Sequence, residues 1–346
     1  MSTKLDFDPD AAASGDGIFG LPFTPETARV VILPVPFEAT TSYGGGTANG
    51  PSAVLAASRQ VDLFDAELGP FWSSGIAMLP IPESVRTLND EARAFALPVI
   101  AAGGAGDDPS LLSALEAVNQ RSRLVNDWVR SETIRWRAAG KLVGVLGGDH
   151  SVPLGSIQAH ALEFPGMGIL HLDAHADLRV AYEGFVDSHA SIMHNVLSTC
   201  PGVKKLVQVG IRDLGCAEHL AISSSGGRIV TFFDAEQQRA RIEGRTFSHL
   251  TRRVVDALPP LVYLSFDIDG LDPTLCPHTG TPVPGGLSFA EVVYLLSAVV
   301  ESGRRIVGFD LVEVAPGPDG DDWDGNVGAR LLYKMVGYML KSQPVT

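Results

Sequence analysis

Eight short apolar runs constrain what this chain can fold into more than anything else in it. They lie at 29–33, 75–79, 142–146, 168–172, 205–209, 228–232, 261–266 and 305–309, and most are unbroken stretches of Val, Ile and Leu. A strand with one wet face alternates apolar and polar residues, whereas a strand buried on both faces does not. Segments with helical spacing fall between the runs, at 51–59, 153–163, 190–198 and 288–302. Strand, helix, strand in succession needs crossover connections, so the pattern predicts an α/β architecture with a parallel sheet between two layers of helices.

The 346 residues suffice for one large core. We read 21–346 as a single domain with a longer excursion at about 80–140, preceded by a polar, acidic, loosely held arm over 1–20. Within the excursion a glycine-rich loop leads to Asp108-Pro109, an N-cap followed by proline at the first helical position, which opens a long helix toward Ala139. Near the end, Val327, Leu331, Leu332, Met335, Val336 and Met339 form a core-facing helical stripe.

Composition narrows the partners. No stretch approaches the ~20 apolar residues that cross a bilayer, and a net charge of −14 with dispersed Lys and Arg disfavours a nucleic-acid backbone or an anionic membrane. A cationic small molecule fits this balance, although acidity also serves solubility alone. Cys200, Cys216 and Cys276 are few, scattered and odd in number, the pattern of packing thiols in a reducing, cytoplasmic setting.

Three chemically loaded segments each follow an apolar run: Gly147-Gly148-Asp149-His150-Ser151, Asp173-Ala174-His175-Ala176-Asp177 and Asp267-Ile268-Asp269-Gly270-Leu271-Asp272-Pro273. In extended backbone, residues two apart share a face, so Asp173, His175 and Asp177 would point together, as would Asp267 and Asp269. Any one segment alone reads more simply as a turn or cap. Three of them at the carboxyl end of one sheet bring together like charges that need cations to offset their repulsion. With His150 the set offers four carboxylates and two imidazoles, enough for two divalent ions.

These three segments closely resemble the signatures of the ureohydrolases, the arginase and agmatinase family. The likeness extends through Thr279-Gly280-Thr281-Pro282-Val283-Pro284-Gly285-Gly286-Leu287, Glu313-Val314-Ala315-Pro316 and the stretch 36–51. It implies a three-layer α/β/α fold with an eight-stranded, mostly parallel sheet of the arginase and deacetylase type. It also implies two manganese ions, with nickel or cobalt as substitutes. His150, Asp173, Asp177 and Asp267 would hold one ion, and Asp173, His175, Asp267 and Asp269 the other. The implied reaction is hydrolysis of a guanidino compound, such as agmatine or a related guanidino amine or acid, to urea and an amine. Asp177 would orient the attacking water, His189 would shuttle a proton and Glu313 would grip the guanidinium nitrogens, while Asp213 and Glu218 would meet the substrate's far end. The family usually has glycine where this chain has Ala190, and His194 is an alternative shuttle. A trimer or hexamer is the implied assembly. Arginase activity is the nearest alternative; a zinc deacetylase lacks its adjacent histidine pair here, and a non-catalytic metal binder would not need all six ligands.

Overall fold

In the computed structural model, residues 7–13 and 15–344 are described. All eight apolar runs are strands: β1 (Val30–Val35), β2 (Ile76–Met78), β3 (Leu142–Gly147), β4 (Gly168–Leu172), β5 (Lys205–Val209), β6 (Ile229–Phe232), β7 (Leu261–Asp267) and β8 (Arg305–Val312). They form one sheet in the order β2-β1-β3-β8-β7-β4-β5-β6, and every pairing is parallel. The helices are α1 (Gly50–Ala57), α2 (Glu83–Ala101), α3 (Pro109–Ala138), α4 (Leu154–Glu163), α5 (Ile192–Thr199), α6 (Cys216–Ser224), α7 (Asp234–Ile242), α8 (Phe247–Ala257), α9 (Phe289–Glu301) and α10 (Trp323–Lys341).

Side-chain alternation divides the core into layers. Val30, Ile32, Leu170, Leu172, Leu264 and Phe266 pack with residues of α1, α8, α9 and α10. Their neighbours Val31, Leu33, Val143 and Val145 face α2 and α3, and Ile169, Leu206, Tyr263 and Val307 face α4 and α5. The three-layer expectation therefore holds. The C-terminal stripe is buried as expected, and Asp108 caps α3 by accepting from the amides of Ser110 and Leu111.

The excursion holds a helix that was not evident in advance. In α2, Val85, Ala92, Ala96 and Val99 make a buried face, but small residues and Pro98 dilute its apolar pattern. The stretch read as an arm, 1–20, ends in a buried turn: Phe19 lies 4.8 Å from the Tyr333 ring and its amide donates to Ser58 Oγ at 2.9 Å. Residues 1–6 and 14 of that stretch lie outside the described residues.

Where central strands meet, space is spent to the last methyl. A Cβ added at Gly144 on β3 would fall 2.2 Å from the buried Phe309 ring on β8. Gly144→Ala is expected to destabilise the fold by about 1–3 kcal/mol through overpacking, which a lower thermal midpoint by circular dichroism would register.

Candidate metal centre

The four strands at the middle of the sheet, β3, β8, β7 and β4, are consecutive neighbours. Because all run the same way, their carboxyl ends open on one crevice, where ligands bind in such sheets. His150 follows β3, Asp173 to Asp177 follow β4, Asp267 and Asp269 span the end of β7, and Glu313 follows β8. The six expected ligands thus come together. Their convergence is not strand alternation, because β4 stops at Leu172 and Ile268–Gly270 is a 3₁₀ turn. Instead, Asp173 Oδ1 accepts the amide of His175 at 2.5 Å and Asp267 Oδ1 accepts that of Asp269 at 2.9 Å, so each leading aspartate folds its own loop back.

The donors are close enough to share ions. His150 Nδ1 stands 3.0 Å from Asp173 Oδ2, 3.1 Å from Asp177 Oδ2 and 3.4 Å from Asp267 Oδ2. His175 Nδ1 stands 3.0 Å from Asp269 Oδ2 and 3.5 Å from Asp173 Oδ1. His150 Nε2 lies 2.9 Å from Ser265 Oγ, which donates to Asp310 Oδ1 at 2.9 Å. Ser265 therefore accepts from Nε2–H, which leaves Nδ1 as the ring atom that would face a cation held by the carboxylates. Carboxylates and imidazoles without thiolate make a donor set for a hard or borderline divalent ion, so the residues fit the pair of cations.

The electrostatics carry the same message. Burial first, then the charges of Asp269 and Asp173, drives the Asp267 carboxyl well above its usual range, while burial and Asp173 push Asp177 up to about 6. Burial opposes protonation of His175, but Asp269 and Asp173 overcome it and raise the imidazole to about 12. Protons thus collect where positive charge is needed.

Beyond the ligands, a cleft of ≈ 760 Å³ is lined by His189, Glu313, Tyr182, Arg179 and Asp213 among others. His189 holds to Thr40, whose hydroxyl lies 3.1 Å from Nδ1 and accepts the His189 amide at 3.3 Å. Donation of the Thr40 hydroxyl proton to Nδ1 would leave the ring proton on Nε2. Burial, then the nearby His175 and His150, lowers this imidazole to about 3, so it is neutral at ordinary pH. Glu313 is buried, adopts φ 63°, and accepts the His150 amide on Oε1 at 2.9 Å. Asp177, at φ 54°, is likewise left-handed, an arrangement costing of order 1–3 kcal/mol for a non-glycine residue.

The remaining expected residues divide. Asp213 is exposed at the rim. Glu218 is buried and its oxygens accept the amides of Leu178 at 2.9 Å and Gly215 at 2.7 Å, so it braces the ligand loop and caps α6. His194 donates its amide to the Asp177 carbonyl at 3.2 Å, and its side chain does not line the cleft. Reading the sequence assigned no individual role to Thr40, within the resembling stretch 36–51, or to Ser265, and it missed Arg179 and the fully buried His171; of these two only Arg179, two residues past Asp177, carried a local signal. The excursion also serves the cleft: Asn89 Oδ1 accepts the Glu38 amide at 2.8 Å, Arg93 donates to the carbonyls of Ala39 and Thr41, and Asn119 Oδ1 accepts the Val186 amide at 3.0 Å.

A model described as the arginase family matches residues 28–337. The chain is 37% identical over 321 residues to the N(1)-aminopropylagmatine ureohydrolase of Thermus thermophilus, covering 92% of this chain and 94% of that protein. It is 32% identical over 320 residues to the agmatinase of Proteus mirabilis, covering 92% and 90% respectively. In fold it is similar to the agmatine ureohydrolase of Thermoplasma volcanium, with a TM-score of 0.71 at 23% identity and 95% of both chains covered.

Cations that quench this acidic cluster should stabilise the folded chain. Free Mn²⁺ at one hundred times its dissociation constant is expected to add about 2.7 kcal/mol, seen as a rise in melting temperature over chelator-treated protein, and Asp173→Asn should abolish most of that rise.

Proposed function

Because this chain belongs to the arginase family, we propose that it is a metal-dependent ureohydrolase cleaving a guanidino compound into urea and an amine. The observation that carries the reading is the convergence of two imidazoles and four carboxylates beside the buried Glu313 in one cleft. His150, Asp173, Asp177 and Asp267 would hold one cation, and Asp173, His175, Asp267 and Asp269 the second. The donor set supports Mn²⁺, with nickel or cobalt as substitutes. When bound, the cations supply Lewis acidity and a nucleophilic water at neutral pH.

The chain's own residues do the rest. Glu313 would accept two N–H groups from the planar guanidinium and so fix the carbon to be attacked. A cation is also what this carboxylate lacks, since burial and then the charges of Asp267 and Asp149 raise it well above its usual range. Asp177, set by its left-handed backbone, orients the water. His189 holds a proton on Nε2 and relays it toward the departing amine. Asp213 lies where a cationic tail would reach the rim.

The relatives' names support a guanidino amine, of agmatine or N(1)-aminopropylagmatine type, as the substrate. A second reading rests on Arg179, a cleft guanidinium 5.1 Å from the Tyr182 ring and 3.7 Å from Glu218, which would favour an acidic tail such as that of 4-guanidinobutyrate. Free thiols at Cys200, Cys216 and Cys276 support a cytoplasmic setting, and family membership supports a homo-oligomer.

Urea release from manganese-loaded protein, measured against agmatine, N(1)-aminopropylagmatine, 4-guanidinobutyrate and arginine, is expected to be fastest with a guanidino amine. Fastest release from 4-guanidinobutyrate would select the second reading, and release from none would overturn both. Asp269→Ala should abolish turnover, and His189→Ala should lower kcat by roughly 10²–10⁴-fold with a smaller change in KM.

A further inference from the structure

A row of polar side chains crosses the middle of the sheet where apolar ones would be expected. Thr231 on β6, Gln208 on β5, His171 on β4, Ser265 on β7 and Asp310 on β8 occupy successive partner positions in the strand register. All but Thr231 are fully buried. Such a row is unfavourable in a core unless its members satisfy one another. The Ser265 and Asp310 end sets the tautomer of His150. The other end runs through His171 to the ligand Asp173.

Its protons can be placed one at a time. The Ala176 carbonyl only accepts, and it lies 2.8 Å from Gln208 Nε2, so that atom is the amide nitrogen. Gln208 Oε1 then accepts the Thr231 hydroxyl at 2.8 Å. The second amide hydrogen points at His171 Nδ1, 3.1 Å away, so Nδ1 must accept. The single ring proton is left on Nε2, which donates to Asp173 Oδ2 at 2.7 Å. A nitrogen bearing that proton has no lone pair for a cation, although it lies among donor atoms within 4.8 Å of one another.

We propose that the Thr231–Gln208–His171 relay is a positioning device for Asp173, holding His171 as a neutral N–H donor so that this carboxylate bridges two ions and the imidazole binds neither. The proposal rests on the metal-centre reading above. The oxygen count of Asp173 agrees with it: Oδ1 takes the His175 amide, Oδ2 takes His171 Nε2–H, and one lone pair remains on each. A carboxylate free to rotate could instead turn both oxygens toward a single ion. Partners of this kind typically contribute 10–100-fold to metal affinity.

The test is a titration of chelator-stripped protein with Mn²⁺, free ion being followed by electron paramagnetic resonance to give stoichiometry and affinity. Wild type should bind two ions per chain; failure to do so would overturn the metal-centre reading itself. With that established, His171→Phe and Gln208→Met are expected to bind two ions roughly 10–100-fold more weakly, and His171→Gln, whose amide N–H can occupy the position of Nε2–H, to stay within a few-fold of wild type. Wild-type affinity in Gln208→Met overturns the relay. Saturation of His171→Phe at one ion per chain, or a His171→Gln as weak as His171→Phe, would make the imidazole a ligand and overturn it also. Should His171→Phe fail to fold, Gln208→Met alone decides.

Discussion

Four carboxylates and two imidazoles cannot be packed at the closed end of a sheet unless positive charge is supplied among them. That requirement governs the molecule more than any apolar contact does. The short parallel strands β3, β8, β7 and β4 end together, so their following loops must meet, and each loop is folded back by an aspartate that captures an amide two residues on. Left-handed backbone at Asp177 and Glu313 is tolerated because neighbouring groups hold it. The Asp177 carbonyl receives the amides of Met193 and His194 at the start of α5, and the Glu313 amide donates to the Gly148 carbonyl at 2.8 Å. Strain of this kind persists where surrounding structure over-determines it, and in this chain it sits at the reacting centre.

The cleft above the acidic cluster is assembled from distant parts of the chain. Ser42 and Tyr43 arrive from the loop after β1, and Arg179, Tyr182 and His189 from the segment after the β4 ligands. What fixes the relative position of the first two loops is the helical excursion. Side chains of α2 hold the backbone of residues 38–41, and Asn119 of α3 holds Val186. The excursion is therefore a brace for both sides of the cleft, which gives a physical reason for a connection longer than a crossover needs.

Much of this was legible in the sequence because it follows from burial. Strands covered on both faces must be apolar throughout, and all eight were recognisable on that ground. The six proposed ligands were recognisable because three charged segments follow three separate strands, although each alone reads as a turn or cap. The reason given for their convergence was incomplete, since turns built on Asp173 and Asp267, not strand alternation, bring them together. Helix α2 escaped notice because alanine and an internal proline blur its apolar face. His171 and Ser265 escaped because a polar residue inside an apolar run gives no local sign of its partners, which sit on adjacent strands and become visible only once register is known. Glu218 lines the cleft, and the two backbone amides that its oxygens accept became visible only in the fold.

Glu313 touches both halves of the chemistry. One oxygen receives the amide of His150, whose ring faces the ion ligands, while the residue as a whole lines the space into which a guanidinium must enter. On the proposed reading, occupancy of the two sites would be coupled through this single carboxylate. By reciprocity, whatever factor the inorganic partners lend to capture of the organic one, the organic one returns to their retention. A turning-over molecule would keep its ions more firmly than an idle one, and starvation for substrate would be the state in which they escape.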